Sequence, residues 1–316
     1  MKAVYVERTG GVENLIYGDQ PTPTPAAGQA LVKIAATGVN YIDIYFRSGL
    51  YPATPPIVLG SEAAGTVEAI APDVTNVRVG DRVAYAMARG SYAEYAVVPA
   101  WQLVKLPDSV DFQTAAAAML QGMTAHYLTH STYLLKPGDS CLVHAAAGGT
   151  GSLIVQMAKM LGARVIGTVG DEEKANHAKA SGADEVIIYS KEDFSQKAKG
   201  MSVVYDSVGK ATFLKSLDCL RPRGMMVNFG NASGPAPEIA PLLLTQKGSL
   251  FLTRPSLAHY TQNAEELDWR AGDVLNWIGQ GKLQLHIHKV YSLKDAGQAQ
   301  QDLEGRKTTG KLLLVP

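Results

Sequence analysis

The sequence predicts an α/β protein in which a doubly wound parallel sheet is inserted into a β-rich domain. Three observations predict it. A strand, a glycine turn and a helix follow one another between Ser140 and Gly162. From there to Phe229 short apolar runs alternate with helical patterns, the mark of a parallel sheet covered on both faces. The stretches on either side are built of short strands with Gly and Pro between them.

The chain opens with a strand at Lys2–Val6. Pro21, Pro23 and Pro25 make an extended link that no helix can enter. Strands are expected at 29–36, 60–71, 81–86 and 91–98, and a short helix at 40–48 with Asn40 as its cap. Near Asp111 the pattern turns helical, with one helix expected at 112–120 and another at 124–133. The βαβ series then runs strand 140–145, helix 150–161, strand 164–168, helix 172–180, strand 185–188, strand 203–205, helix 212–220 and strand 225–229. The tail gives a helix at 263–279, a strand at 286–292, a helix at 293–304 and a last strand at 311–315. Residues 1–122 with 258–316 are expected to form one domain, and 123–257 the inserted one.

The glycine turn is Ala145-Ala-Ala-Gly-Gly-Thr-Gly151. In the frame G-x-G-x-x-G, Gly148 and Gly151 hold the second and third glycine places, and Ala146 stands in the first. Gly148 would let the backbone approach a pyrophosphate, and Gly151 would let the helix pack close to the sheet. The N–H groups of the first helical turn, from Gly149 and Thr150 onward, would face the phosphates. In this Rossmann arrangement an acid about 20 residues on would hold a ribose 2′-hydroxyl. Here Gly167-Thr-Val-Gly170 occupies that place and Lys174 follows, which leaves room and positive charge for a 2′-phosphate.

Composition narrows the classes. Lys plus Arg and Asp plus Glu are both 29, so no basic surface for nucleic acid is expected. The two cysteines, Cys141 and Cys219, form no C-x-x-C pair and fit a reducing compartment. No apolar run reaches membrane-spanning length, and the first residues lack the apolar core of a signal peptide. A cytoplasmic protein is expected.

Several further stretches carry a resemblance. They are Gly38-Val-Asn-Tyr-Ile-Asp43, Tyr45–Tyr51, Gly60-Ser-Glu-Ala-Ala-Gly65, Val79-Gly-Asp-Arg-Val83, Ala145–Gly151, Val204–Gly209, Asn228–Asn231, Thr253–Leu257 and Gly310-Lys311. Over nearly its whole length the chain resembles the zinc-free medium-chain dehydrogenase/reductases, the family of the NADPH-dependent quinone oxidoreductases and zeta-crystallins. The resemblance implies a GroES-like fold for the β-rich domain. Zinc-dependent members carry Cys at the Asn40 position and His at the Ser61 position. Only Glu62 of that set is present, and Asn and Ser are poor zinc ligands, so no metal is expected.

The resemblance also implies the cofactor, NADPH. Its contacts would fall on Asn40, Gln121, Thr124, Gly148, Gly149, Thr150, Gly151, Gly170, Lys174, Tyr189, Ser207, Phe229, Gly230, Asn231, Arg254 and Arg306. Lys174 and Tyr189 would hold the 2′-phosphate, with Arg306 as a third ligand. A quinone takes hydride readily, so the protein need supply mostly position and modest anion stabilisation. Asn40, Tyr45 and Tyr51 are the expected substrate-positioning residues. Asn40 would donate a hydrogen bond, and the tyrosines would stack on a planar ring or donate O–H. No general acid is assigned. His286 and His288 share a strand face without further ligands, and His144 is expected to be structural.

Other readings stay open on the sequence: a reductase of α,β-unsaturated carbonyls, and a non-catalytic NADPH-binding structural or RNA-binding protein. The apolar run 248–253 is expected to be an edge strand that pairs across a two-fold axis in a homodimer.

Overall fold

The computed structural model describes residues 1–316. In chain order the elements are β1 (Lys2–Val6), β2 (Ile16–Asp19), β3 (Gln29–Val39), α1 (Tyr41–Ser48), β4 (Ile57–Val58), β5 (Glu62–Ile70), β6 (Arg82–Ala86), β7 (Tyr95–Pro99), β8 (Val104–Lys105) and α2 (Phe112–Tyr127). Then follow β9 (Ser140–His144), α3 (Gly149–Met160), β10 (Arg164–Val169), α4 (Glu172–Ala180), β11 (Glu185–Ile188), α5 (Phe194–Lys197), β12 (Met201–Asp206), α6 (Phe213–Leu217), β13 (Leu220–Asn228), α7 (Leu242–Gln246) and β14 (Phe251–Thr253). The chain ends with α8 (Ala264–Gly279), β15 (Ile287–Ser292), α9 (Ala296–Glu304) and β16 (Lys311–Val315). Two compact units result, Met1–Met123 with Thr261–Pro316, and Thr124–Tyr260.

In the first unit, β15-β16-β3-β5-β6-β8 form one sheet, with β7 also paired to β3, and β2-β1-β4 form a second. β3 is the organising strand. It runs antiparallel to β5, with Thr37 opposite Ala63, and to β16, with Val39 opposite Leu312. Register then fixes what comes next. One residue back along each partner places Glu62 beside Gly38 and Lys311 beside Asn40. Two apolar clusters hold the unit together. One includes Val32, Val67, Tyr85 and Val98, and the other Val4, Leu59, Tyr92 and Leu314.

The second unit is a six-stranded parallel sheet in the order β11-β10-β9-β12-β13-β14. The order reverses between β9 and β12, which makes the switch point where such sheets bind ligands beyond their carboxyl ends. Leu142, Ile166, Val204 and Met226 from four successive strands share one core. The expected edge strand is β14, the last in the order, but it is shorter than the expected 248–253: Gly248 and Ser249 take positive φ, +109° and +56°, and pairing begins only at Phe251. Its Phe251 and Leu252 are 58% and 39% exposed.

Some elements depart from the expectation. The two helices at 112–120 and 124–133 are one helix, α2, followed by a π-helical turn at Leu128–Thr132. Gln121-Gly122 does not break it. Gly122 is there for packing: a Cβ on it would stand 2.7 Å from Val274 Cγ1. Ser91–Glu94 is not strand; Ala93 makes only an isolated bridge to Ala3, and β7 begins at Tyr95. The helix expected at 212–220 ends at Leu217, and Leu220 already opens β13. The helix expected at 293–304 begins at Ala296, after a 3₁₀ turn at Leu293–Asp295. No helix is long and apolar enough to cross a membrane.

Candidate active site

In the parallel unit the candidate residues collect at the carboxyl ends of the strands. Ala145–Gly151 follows β9, Gly170 and Lys174 follow β10, and Tyr189 follows β11. Ser207 follows β12, Phe229–Asn231 follows β13, and Arg254 follows β14. That is the edge on which a dinucleotide lies in such a sheet.

The glycine turn fits the expected cofactor. Gly148 is the N-cap of α3, and its N–H donates to the Ala145 carbonyl at 2.9 Å. A Cβ on Gly151 would lie 2.2 Å from that same carbonyl oxygen, so only glycine lets α3 start here. The first intrahelical bond runs from Ser152 N–H to the Gly148 carbonyl; the Gly149, Thr150 and Gly151 amides that precede it in the first helical turn have no intrahelical carbonyl to reach and suit a phosphate. The missing glycine is also explained. The left-handed residue of the turn is Ala145, at φ +51°. Ala146 is fully buried, and its methyl sits 2.8 Å from where a Cβ on Gly167 would be. Gly167, on β10, makes the room that a glycine at 146 would have made on β9's side.

Lys174 and Tyr189 stand on adjacent turns. Asp171 caps α4 by accepting the Lys174 N–H at 2.9 Å, and its carboxylate also pairs with Lys174 Nζ at 2.9 Å. These two bonds hold Asp171 below the usual carboxylate range. A Cβ on Gly170 would stand 2.9 Å from the Tyr189 hydroxyl, so the tyrosine reaches back over the end of β10. Asp206, which sequence reasoning did not single out, organises the next turn. It is buried and accepts from Val208 N–H (2.7 Å), Gly209 N–H (3.1 Å) and Thr212 Oγ1 (2.9 Å). Phe229 N–H in turn donates to the Asp206 carbonyl at 2.8 Å. Gly230 lies against Ser207, where a Cβ would come within 2.4 Å of the Ser207 carbonyl oxygen. His144 is structural. Its ring nitrogens pair with Thr168 Oγ1 and Ser216 Oγ, both at 2.8 Å, and burial pushes its pKa down.

In the β-rich unit the candidates are Asn40, Tyr45, Tyr51, Gln121 and Arg306. Tyr45 and Tyr51 have ring centroids 5.1 Å apart, and Phe46 meets Tyr51 edge-on at 5.9 Å. Together they make an aromatic corner on α1 and the loop after it. Arg306 stands just past α9 in a left-handed turn, φ +55°. Two helix ends are tied nearby: Arg47 on α1 donates to Gln300 and Glu304 on α9, at 2.8 Å and 2.9 Å.

Asn40 differs from expectation. Its N–H groups turn inward, to Glu62 Oε2 at 2.9 Å and the Gly38 carbonyl at 3.3 Å, while its Oδ1 accepts from Lys311 Nζ at 2.7 Å. The amide donor expected for a substrate oxygen is already committed. Sequence reasoning missed Lys311 and the buried role of Glu62. The signal available was a lysine opening an otherwise apolar strand. A second buried carboxylate, Asp43, accepts from Ser61 Oγ (2.8 Å), Tyr92 OH (3.1 Å) and Asn40 N–H (3.0 Å).

Burial nonetheless pushes Asp43 up from 3.8 to about 6, with those donors and the Lys311 charge pulling the other way. The folded state therefore holds its proton to higher pH than the unfolded chain does. The stability this contributes is fully present below pH 3.8 and is lost as pH rises through about 6. Relative to Asp43→Asn, which does not titrate, the wild-type unfolding free energy should fall by about 3 kcal/mol across that window. Urea melts of both proteins at pH 4, 5, 6 and 7 check this. A constant difference would refute it.

No group of three or more His, Cys, Asp or Glu side chains is placed to hold a metal ion. Two family models match the chain: "Alcohol dehydrogenase GroES-like domain" over residues 26–108 and "Zinc-binding dehydrogenase" over 149–271. The chain is 45% identical to a quinone oxidoreductase of Pseudomonas aeruginosa, over 100% of this chain and 99% of the relative. The chain belongs to the quinone oxidoreductase family of medium-chain dehydrogenase/reductases. Within that family, the crystal structure of the Escherichia coli quinone oxidoreductase complexed with NADPH matches with a TM-score of 0.98 and 42% identity, over 100% of both chains. A 2-haloacrylate reductase of Burkholderia is 42% identical over 99% of this chain and 98% of its own.

Proposed function

We propose that this chain is an NADPH-dependent quinone reductase that works without a metal. The observation that carries the reading is the turn Ala145–Gly151 with Lys174 and Tyr189 beside it, in a chain that matches quinone oxidoreductases from end to end. NADPH, when bound, supplies the hydride. The residues of the chain bind and orient. The α3 N-terminus takes the pyrophosphate. Lys174 and Tyr189, with Arg306, hold the 2′-phosphate, and Lys174 exchanges Asp171 for it. Ser207, Phe229, Gly230, Asn231, Arg254, Gln121 and Thr124 line the rest of the cofactor. Tyr45 and Tyr51 offer ring faces and hydroxyls to a planar quinone. The quinone gains one hydride and one proton at oxygen and leaves as the hydroquinone, with water as the proton source.

Steady-state oxidation of NADPH with 1,4-benzoquinone, and separately with an α,β-unsaturated ketone, tests this. Turnover of the quinone is expected. Turnover of the enone alone would move the assignment to the second reading, alkene reduction, which the 2-haloacrylate reductase relative supports and which needs a proton donor to carbon, for which Tyr45 and Tyr51 are the candidates. Lys174→Ala should raise KM for NADPH about 10- to 30-fold and leave KM for NADH unchanged. Equal effects on both would remove Lys174 from the 2′-phosphate.

Two further readings belong here. The chain acts in the cytoplasm, a reading supported by two cysteines that are free and form no disulfide. It forms a homodimer by pairing β14 across a two-fold axis, which continues the six-stranded sheet and covers Phe251 and Leu252. Sedimentation equilibrium should give twice the chain mass at micromolar concentration and a monomer for Leu252→Lys; a wild-type monomer would refute the dimer.

A further inference from the structure

Asn40, Glu62 and Lys311 form a closed buried circuit, of which the sequence singled out only Asn40 as a contact of the cofactor and substrate. A primary amide has two N–H donors and an oxygen with two lone pairs. Both donors of Asn40 point into the protein, and its oxygen accepts from the Lys311 ammonium. That ammonium also donates to Glu62 Oε2 at 2.5 Å, and Glu62 Oε1 accepts the Leu120 N–H at 2.5 Å. The three side-chain positions are 4%, 0% and 2% exposed for Asn40, Glu62 and Lys311. Turning the amide over would set its NH₂ against an ammonium and its oxygen against a carboxylate, with little water to relieve either. The circuit is also built into the backbone. A Cβ on Gly38 would lie 2.2 Å from Glu62 Oε2 and 2.7 Å from Lys311 Cε, so the space for the pair exists because residue 38 is glycine.

We infer that Lys311 and Glu62 are positioning residues that fix the polarity of Asn40, so that it offers a bound molecule an oxygen acceptor and no N–H. The ligand chemistry this selects is a hydroxyl donor, either a hydroxyl of the nicotinamide ribose or the O–H of the reduced aromatic product. A quinone carbonyl, which only accepts, gains nothing from it. The inference rests on the proposed NADPH-dependent reaction and on the sequence-based expectation that Asn40 meets the reacting molecules.

Exchanging amide and carboxylate tests the polarity. In Asn40→Asp/Glu62→Gln a carboxylate still faces Lys311, and residue 40 has acceptors only. Thermal melts report folding, and quenching of intrinsic fluorescence reports NADPH binding without turnover. The exchanged protein should bind NADPH within about threefold of wild type, whereas Asn40→Leu should lose about tenfold. A folded exchanged protein that binds as poorly as Asn40→Leu would show that Asn40 donates, and would overturn the inference. If the exchanged protein does not fold, Lys311→Met/Glu62→Gln asks the same question, because it removes both charges and frees the amide to turn. Against wild type, a cofactor analogue lacking a nicotinamide-ribose hydroxyl should bind about tenfold more weakly than NADPH, and against the double variant the difference should vanish. If the cofactor hydroxyl shows no such coupling but product inhibition by hydroquinone does, the donor is the product. Coupling to neither overturns the inference. A wild-type protein that does not bind NADPH at all overturns it too, through the reading beneath it rather than through Asn40.

Discussion

Lys311→Met should cost about 3–5 kcal/mol in equilibrium unfolding. The lysine opens β16 with its ammonium buried against Glu62, and its removal leaves a carboxylate at 0% exposure without its counter-charge. Leu120 N–H and the Asn40 amide remain on that carboxylate, but two neutral donors do not replace a cation in a site of low dielectric. Adding Glu62→Gln to Lys311→Met should recover most of the loss, because a buried pair removed as a whole costs far less than a pair broken in half. Urea denaturation followed by tryptophan fluorescence measures both. A single variant within about 1 kcal/mol of wild type would refute the cost assigned to breaking the pair.

The second large effect belongs to Gly151. Gly151→Val should weaken NADPH binding at least about 100-fold, equivalent to about 2.7 kcal/mol, and destabilise the parallel unit by about 1–3 kcal/mol. The added Cβ would meet the Ala145 carbonyl oxygen at 2.2 Å. That oxygen cannot simply swing away, since it accepts the Gly148 N–H and belongs to a residue already held at φ +51°. The whole turn must move, and the amides aimed at the phosphates move with it. Gly148→Ala is the informative control. Its Cβ would meet the same oxygen at 3.2 Å, so the fold should tolerate it. Binding should still fall, because the methyl stands where the pyrophosphate approaches. Calorimetric titration of NADPH with thermal melts separates the two. Equal losses of stability in both variants would show that the turn is limited by packing alone.

The parallel unit was legible because its signals are local. A strand, a glycine turn and a helix lie within about 20 residues of one another, and each apolar run names its own period. The lysine at 174 and the absence of an acid at the end of β10 could be read in the same way. The circuit around Asn40 was not legible, because its members are brought together by register. Lys311 and Glu62 are 249 residues apart in the chain, and no spacing rule connects them. The bonds that commit the Asn40 amide to Glu62, Gly38 and Lys311 could not be read from the sequence for that reason. The division of α2 into helices at 112–120 and 124–133 failed differently. Gly122 between them answers Val274 on α8, a contact no local pattern announces. Ala146 is a third case, since what excuses the missing glycine is Gly167 on the neighbouring strand.

The pairing of β16 with β3 also sets an order of assembly on the ribosome. The parallel unit is one continuous stretch, Thr124–Tyr260, and its last strand has been made by Thr253. It can close as soon as it emerges. The β-rich unit cannot. Its first half is synthesised earliest, and β3 finds β5 and β7 there, yet its Thr37–Val39 end lacks the β16 partner until Leu312 and Glu62 lacks its cation until Lys311. Over the 249 residues that separate Glu62 from Lys311 the nascent N-terminal half holds an open sheet edge and an uncompensated carboxylate, and the part of the protein made first is the part finished last.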